Sequence, residues 1–220
     1  MAKKMEISPK SIMEKFSSGK SNKKKKMELS TSQISDAMES LLGNSGVIPG
    51  IKPLKNGFNI NGKVMTAKTS SEDWGTVLDA IELTKSGEIL LLQSEDDDKA
   101  IWGELTSKNA QKNGLKGTVI YGAVRDVSAV RSMNYPVFSL SIVPNAGAPL
   151  AQGEVNIPLH FENLTVRPGD TIIADDGGVV VVPQEHYSKV IVAAFKIKEN
   201  EERILNLIKS GKSLKEIMKI

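Results

Sequence analysis

The sequence predicts an α/β fold with a mixed sheet and helices around it, in a single domain. Strand patterns and amphipathic helix patterns alternate between residues 88 and 143, which is typical of crossover units with parallel strands. Short strand patterns joined by turn residues follow residue 150. A chain of 220 residues is long enough for one sizeable core and too short for two comfortable ones.

The first element with clear signals is a helix in "STSQISDAMESLLG". Serines 30–32 offer N-caps, and Gly43 can end the helix. A shorter helical pattern spans residues 6–18 upstream. The side chains that share the apolar face of the main helix are Ile34, Ala37, Met38, Leu41 and Leu42.

The next stretch, "GVIPGIKPLKNG", predicts an extended, turn-rich connection because prolines and glycines interrupt it. Alternation in "GKVMTAKTS" then predicts a strand. A second amphipathic helix follows in "DWGTVLDAIELTKSG", with Gly87 as its stop. The side chains predicted to face inward from this helix are Trp74, Val77, Leu78 and Ile81.

The alternating region holds strand "EILLLQ", helix "GELTSKNAQKNG", strand "GTVIYGAV", helix "DVSAVRSMN" and strand "YPVFSLSIV". Beyond it, "VNIPLHF" and "VRPGDTIIADDGGVVVVP" predict short strands, with a hairpin turn at residues 176–178. The last 36 residues return to a helical pattern. Its apolar stripe consists of Ile204, Leu205, Leu207 and Ile208.

The composition excludes several classes of site. Cysteine is absent, so the chain has no disulfide, no thiolate nucleophile and no thiolate metal ligand. The basic N-terminus is not followed by the apolar core of a signal peptide, and no apolar run is long enough to span a bilayer. We therefore expect a cytoplasmic protein.

The net charge of +3 is unevenly distributed along the chain. Residues 1–30 hold nine lysines and three glutamates, which is +6 locally and leaves −3 on the other 190 residues. The run "KSNKKKKME" could neutralise the phosphates of a nucleic acid. We favour a solvated arm, because no aromatic side chain is interleaved among the lysines to stack on bases.

Several polar motifs receive structural interpretations. His160 and His186 lie 26 residues apart with no ligand-type partner at metal spacing, so we expect structural or surface roles. The acidic run "SEDDDK" at 94–99 could hold Mg²⁺ or Ca²⁺, but it lacks the glycine and spacing of a calcium loop. A solvated turn is therefore favoured there. The glycines match neither a phosphate loop nor a dinucleotide fingerprint.

Arg125 and Asp126 directly follow the strand "GTVIYGAV". The carboxyl end of a parallel strand is where open α/β sheets place ligand sites. The alternative is that Asp126 caps the next helix while Arg125 pairs with a surface acid. At the neighbouring crossover, "WGELTSKN" enters a helix whose first amides are suited to an anion. Those amides belong to Gly103, Glu104, Leu105 and Thr106, and the two helix starts together predict a cleft.

The segment "GELTSKNAQKNGLKGTVIYGAVRDVSAVRSMNYPVFSLSIVPNAG" resembles one shared by the 4-hydroxy-4-methyl-2-oxoglutarate aldolases and the regulators of ribonuclease activity A. "LSTSQISDAM", "GVIPGIKPL" and "VRPGDTIIADDGGVVVVP" resemble that family's opening helix, its following loop and its closing hairpin. The resemblance covers residues 29–185. It implies a β/β/α swivelling-type sandwich, with a basic arm at 1–28 and a C-terminal helical extension at 186–220.

The resemblance also implies a site. The family's enzymes carry an acid, twenty intervening residues and then Arg-Asp, and Glu104 followed by Arg125 and Asp126 reproduces that spacing. The better-known aldolases have Asp at the first position, so Glu104 is a departure that is one methylene longer. The implied roles are catalysis by Arg125 and Glu104, ligation of Mg²⁺ or Mn²⁺ by Asp126, and binding of a 2-oxo acid by Arg125 and the amides of 103–106.

The implied activity is that of a metal-dependent lyase that releases pyruvate, either a 4-hydroxy-4-methyl-2-oxoglutarate aldolase or an oxaloacetate decarboxylase. The implied assembly is a homotrimer with the site near a subunit boundary, where Glu199, Glu201 or Glu202 could serve a neighbour. One rival is a non-catalytic regulator that binds a ribonuclease or another RNA-processing partner. Another is an enzyme of this scaffold that acts on a phosphorylated or sugar acid.

Overall fold

The structure is a computed structural model that describes residues 29–220. The predicted helix at 6–18 and the lysine-rich run lie outside the described residues. The described chain groups into two compact units, one formed by 46–184 and one that combines 29–45 with 185–220. The domain boundaries given by the resemblance, at 28/29 and 185/186, stay predictions.

Strands dominate the unit formed by 46–184. In chain order they are β1 Val47–Ile48, β2 Lys52–Pro53, β3 Ile60–Thr69, β4 Ile89–Ser94, β5 Ala100–Trp102, β6 Gly117–Val124, β7 Val137–Ile142, β8 Glu154–Val155, β9 Leu159–Phe161, β10 Leu164–Val166, β11 Thr171–Asp175 and β12 Gly178–Val182. The helices of the described chain are α1 Thr31–Leu42, α2 Gly75–Leu83, α3 Glu104–Lys112, α4 Val127–Ser132, α5 Tyr187–Lys209 and α6 Leu214–Met218.

The main sheet is mixed, as the sequence predicts. Its strand order is β1-β12-β11-β3-β4-β6-β7-β2, with β5 beside β6 and β8 beside β3. The neighbours β3, β4, β6 and β7 run parallel, because α2, α3 and α4 carry the chain back between them. The hairpin predicted at 176–178 joins β11 and β12, which pair antiparallel from Thr171↔Val182 to Asp175↔Gly178.

Two apolar clusters cover the two faces of the parallel strands. One cluster joins side chains such as Leu91 and Val119 to residues of β9 through β12. The other joins Leu90, Leu92 and Ile120 to the inward faces of α2 and α3. Successive strand residues point to opposite faces, so each parallel strand contributes to both clusters. The result is a strand layer, a sheet and a helix layer, which confirms the α/β fold class with a mixed sheet and flanking helices.

The first helix, α1, begins and ends where its sequence predicts. Ser30 accepts a hydrogen bond from the Gln33 amide at its N-terminus, and Gly43 closes the C-terminus in the left-handed region, at φ 65°. Ile34, Ala37 and Met38 are buried. Leu41 and Leu42, at the end of the same apolar face, are 47% and 36% exposed. Between residues 29 and 220, no helix is long and apolar enough to cross a membrane.

Asp73 is a buried carboxylate that sequence analysis did not single out; only 2% of the residue is exposed. Its Oδ1 accepts hydrogen bonds from the amides of Gly75, Leu150 and Ala151 at 2.7–2.9 Å. Its Oδ2 accepts from the Gln152 amide at 2.8 Å and from two threonine hydroxyls. Burial alone raises the pKa of the Asp73 carboxyl, but the hydrogen bonds outweigh it, and the pKa lies well below its usual range.

We expect Asp73→Asn to lower the free energy of unfolding at pH 7 by about 2–4 kcal/mol, because an amide nitrogen would face backbone N–H donors in a dry site. The folded-state pKa of Asp73 is depressed, so its contribution is complete above the unfolded pKa of about 4 and is lost as pH falls below it. Urea unfolding from pH 7 to pH 3 should therefore show the difference from wild type shrinking. Asp79→Asn, on the exposed side of α2, is the control and should change stability little.

Candidate active site

The short strand β5 brings the two predicted helix starts together. It pairs parallel with β6 through Ala100↔Ala123 and Trp102↔Val124, and the Arg125 amide donates to the Trp102 carbonyl at 2.9 Å. Gly103 therefore lies beside the end of β6, at the same edge of the sheet as Arg125. Sequence analysis missed β5, because three residues after an acidic run give too little pattern to identify a strand.

The start of α3 is fixed from the core. Trp102 is 1% exposed, and its indole Nε1 donates to the Ser107 hydroxyl at 2.7 Å. The Ser107 hydroxyl in turn donates to the Gly103 carbonyl at 2.7 Å. These bonds join the last residue of β5 to the first turn of α3, so the orientation of the helix start depends on a buried side chain.

Glycine is needed at position 103 because the side chains of Arg125 and Asp126 come close to its Cα, and not because of its backbone angles. A Cβ at this position would lie 2.6 Å from Oδ2 of Asp126 and 3.2 Å from Cγ of Arg125. Its φ of −167° is extended backbone that any residue adopts. The absence of a side chain at Gly103 is therefore what lets the Arg125-Asp126 pair pack against the helix start.

Asp126 adopts the left-handed conformation at φ 55° and ψ 34°, directly before α4. Its side chain does not cap α4. Instead, Oδ2 accepts a hydrogen bond from the Glu104 amide at 3.2 Å and lies 3.7 Å from Nε of Arg125. Both side chains are about two-fifths exposed, at 41% and 42%. The pair thus points into a solvent-accessible space beside α3, in place of the capping arrangement that the sequence left open.

Two of the four amides predicted to be free at the start of α3 have partners. The Gly103 amide donates to the Thr106 hydroxyl at 2.9 Å, and the Glu104 amide donates to Asp126. The amides of Leu105 and Thr106 donate no hydrogen bond to the described part of the chain. Of the four amides in the anion site predicted at 103–106, two are therefore left to bind an anion. The amides of Gly103 and Glu104 already donate to polar side chains.

The Glu104 side chain lies along the surface of its own helix, α3. Its Oε1 lies 2.5 Å from Nζ of Lys108, one helical turn later. The Glu104 side chain is 36% exposed and that of Lys108 is 60% exposed. Lys108 thus adds a cation at the edge of the site. Sequence analysis did not single it out, although the four-residue spacing of opposite charges on a helix is a signal that identifies such a pair.

In the described residues, a metal ion at the candidate site would have few protein ligands. Residues 29–220 contain no group of three or more histidine, aspartate or glutamate side chains positioned to hold one ion. Asp126 offers Oδ1, which makes no hydrogen bond within that part of the chain. One carboxylate with a free oxygen fits Mg²⁺, which keeps several of its waters and is often held by one or two carboxylates plus the substrate.

The other polar motifs make local contacts within residues 29–220. Nδ1 of His160 lies 3.1 Å from the Thr165 hydroxyl in the hairpin of β9 and β10. In the acidic run, Asp96 accepts from the Asp98 amide, and Lys99 pairs with Glu72 at 2.6 Å. Among the C-terminal acids, Glu201 accepts from the side-chain amide of Gln33 at 2.7 Å.

Comparison with known proteins identifies relatives along most of the chain. The profile of the RraA-like family, described as Aldolase/RraA, matches residues 31–181. An uncharacterized protein of Methanocaldococcus jannaschii is 38% identical over 78% of this chain and 84% of its own length. A protein of Halalkalibacterium halodurans, provisionally named a 4-hydroxy-4-methyl-2-oxoglutarate aldolase, is 30% identical over 78% of this chain and 81% of its own.

Solved structures share the fold. The crystal structure of an uncharacterized protein from Pseudomonas syringae superposes with a TM-score of 0.75 at 31% identity and covers 86% of this chain and 92% of the other. The RNA-processing inhibitor RraA from Thermus thermophilis superposes with a TM-score of 0.61 at 24% identity, over 68% of this chain and 92% of its own. At that identity the second likeness concerns the fold alone.

We expect Gly103→Ala to destabilise the protein by about 1–3 kcal/mol, because the new methyl group overlaps the Asp126 carboxylate. In an Asp126→Ala background most of the overlap disappears, so Gly103→Ala should lower the free energy of unfolding by less than it does in the wild type. Urea unfolding of the wild type, both single variants and the double variant measures this coupling. Additive effects of the two substitutions would contradict the close contact between Gly103 and Asp126.

Proposed function

Because the chain belongs to the RraA-like family, we propose that it is a divalent-metal-dependent lyase that cleaves a C–C bond of a 2-oxo acid and releases pyruvate. The observation that carries the proposal is the contact of the Arg125-Asp126 pair with the start of α3. Within residues 29–220, this corner of the sheet combines a guanidinium, a carboxylate with one oxygen that accepts no hydrogen bond, and two amides that donate none. The proposed substrates are 4-hydroxy-4-methyl-2-oxoglutarate and oxaloacetate.

Substrate binding would begin at the helix start. The amides of Leu105 and Thr106 point out of the first turn of α3 and would accept the carboxylate next to the keto group. Leu105 is 77% exposed, which puts this side of the helix start at the surface, whereas Thr106 is 7% exposed. Helix-dipole and hydrogen-bond donation act together on a carboxylate at this position, which orients the keto oxygen toward Arg125.

Arg125 would stabilise the charge that develops during cleavage. The guanidinium makes no hydrogen bond within residues 29–220, and its contact with Asp126 at 3.7 Å uses only Nε. Its terminal nitrogens are therefore available to donate to the keto oxygen. When the C3–C4 bond breaks, the electron pair passes into the 2-oxo unit and leaves an enolate oxygen, so the interaction with Arg125 strengthens toward the transition state.

Asp126 would hold the divalent ion through its free Oδ1, with water completing the coordination. When bound, such an ion acts as a Lewis acid toward the keto and carboxylate oxygens of the substrate. Asp126 also accepts from the Glu104 amide, which keeps its carboxylate at the substrate side of α3. The preferred metal, Mg²⁺ or Mn²⁺, is part of the proposal.

Glu104 is the proposed proton carrier. It would take the proton of the C4 hydroxyl in the aldol cleavage, directly or through a water, and return a proton to C3 of the enolate to give pyruvate. In oxaloacetate the C3–C4 bond releases CO₂, so only the protonation of C3 is needed. Lys108, at 2.5 Å from Glu104, holds the carboxylate in place at the edge of the site.

The second candidate function is a non-catalytic regulator of a ribonuclease or another RNA-processing partner. It is favoured by the shared fold of the RNA-processing inhibitor RraA from Thermus thermophilis. A pyruvate assay with oxaloacetate as substrate, run with Mg²⁺ and with excess EDTA, separates the two candidates. Turnover that EDTA abolishes supports the lyase, whereas no turnover in either buffer supports the regulator. A homotrimer in the cytoplasm is the proposed setting in both cases.

We expect Arg125→Ala to lower kcat for pyruvate formation from oxaloacetate by about 10²–10³-fold, the loss caused by removing one preorganised oxyanion donor. Arg125→Lys should recover only part of the rate, because a single ammonium replaces a fork of donors. The control is Arg167→Ala, which removes an exposed arginine from the turn between β10 and β11. Equal rates for Arg125→Ala and wild type would exclude the proposed role of the guanidinium.

We expect Asp126→Ala to abolish both the turnover and its response to Mg²⁺, because the only proposed protein ligand is lost. Titration of each variant with Mg²⁺ in the pyruvate assay measures this. Asp98→Ala, in the exposed acidic run between β4 and β5, is the matched control and should keep the wild-type Mg²⁺ dependence. Mg²⁺-stimulated turnover that persists in Asp126→Ala would assign the metal to another ligand.

A further inference from the structure

Helix α3 begins without a side-chain cap, although its first turn lies at the candidate site. A side-chain oxygen at the N-cap position ordinarily accepts a hydrogen bond from the second or third amide of a helix. Gly103 occupies that position and has no side chain, and the amides of Leu105 and Thr106 donate no hydrogen bond within residues 29–220. We call these two groups the open amides. Other contacts must therefore hold the first turn of α3 in its orientation.

Two hydroxyl groups of the same turn bind the peptide groups of Gly103. The Thr106 hydroxyl accepts from the Gly103 amide at 2.9 Å and donates to the Gly103 carbonyl at 3.0 Å. The Ser107 hydroxyl donates to the same carbonyl at 2.7 Å, and the Ser107 amide donates to it at 3.0 Å. Gly103 is thus held by side chains that follow it in the helix, and these side chains leave the open amides unoccupied.

Ser107 is also bound to the core of the protein. The residue is 0% exposed, and its hydroxyl accepts from indole Nε1 of Trp102 at 2.7 Å. An indole N–H is a donor only, so the single proton of the Ser107 hydroxyl is left for the Gly103 carbonyl. The chain of hydrogen bonds therefore has one direction, from Trp102 through Ser107 to Gly103. Trp102 itself is 1% exposed and pairs with Val124 at the end of β6.

On the basis of the proposed lyase function, we propose that Ser107 is a positioning residue for the carboxylate of the 2-oxo acid. It acts through Gly103 and does not touch the substrate. Its buried hydrogen bonds fix the direction of the open amides relative to Arg125, whose own amide donates to the Trp102 carbonyl at 2.9 Å. Both halves of the site are thus attached to Trp102. Loss of the Ser107 hydroxyl would release the half that binds the carboxylate and leave Arg125 in place.

The test compares KM and kcat of the wild type and Ser107→Ala in the pyruvate assay with oxaloacetate and Mg²⁺. The open amides bind the carboxylate equally before and during cleavage, so Ser107→Ala should raise KM about 10-fold and leave kcat within about 2-fold. Ser107→Thr keeps the hydroxyl and should recover most of the wild-type KM. Trp102→Phe removes only the indole donor and should raise KM by a smaller factor, about 3-fold.

Thr84→Ala is the matched control for lost stability. Thr84 is 5% exposed, and its hydroxyl donates at 2.6 Å to the carbonyl of Ala80, four residues earlier, as the Ser107 hydroxyl does to Gly103. The control should lower the free energy of unfolding, measured with urea, and keep the wild-type KM. A rise in KM as large as that of Ser107→Ala would assign the effect to stability and overturn the positioning role.

Pyruvate binding, measured by isothermal titration calorimetry with Mg²⁺, separates this role from the lyase activity. If the wild type binds pyruvate without turning over oxaloacetate, the lyase proposal fails, and a Kd about 10-fold higher for Ser107→Ala still supports the positioning role. A wild-type KM and Kd in Ser107→Ala, or a lower kcat at unchanged KM, would overturn that role alone. Absence of both binding and turnover in the wild type overturns both proposals. If Ser107→Ala does not fold, Trp102→Phe decides, and an unchanged KM and Kd there contradict the role of Ser107.

Discussion

The hydrogen bonds that converge on Asp73 are the constraint on which the site depends. They tie the end of β3 and the start of α2 to residues 150–152. The segment before 150 is thereby held beside β5, where the Asn145 carbonyl accepts from the Ala100 amide at 2.9 Å. Because β5 delivers Gly103 to its position beside β6, a single buried carboxylate supports the whole corner, and it is charged because its donors compensate for burial.

In the candidate site, the positions of Arg125 and Asp126 depend on the absence of a side chain at Gly103. The space that a methyl group would fill is occupied by the Asp126 carboxylate, and the Glu104 amide binds it there. Two crossovers that are separate in sequence thus share one short contact. The cation, the anion and the helix start remain close to one another without a buried ion pair, since Arg125 and Asp126 are both partly solvated.

The fold was predictable from local signals, and the details of the site were not. Caps identified α1, and alternation identified the parallel strands, because both patterns lie within one element. Asp73 escaped notice because half of its partners lie more than 70 residues away. The number of free amides at 103–106 was overestimated for the same reason, since the partner of Glu104 is 22 residues distant. The exposure of Leu41 depends on which elements pack against α1, and a helical wheel carries no information about that packing.

The left-handed backbone at Asp126 has a consequence for how this scaffold can change. Glycine, asparagine and aspartate adopt that conformation more readily than other residues. Asparagine would preserve the turn and remove the negative charge by exchanging one oxygen for nitrogen. A single nucleotide substitution in the codon would therefore keep the backbone of this turn while it removes the carboxylate that the proposed lyase activity needs.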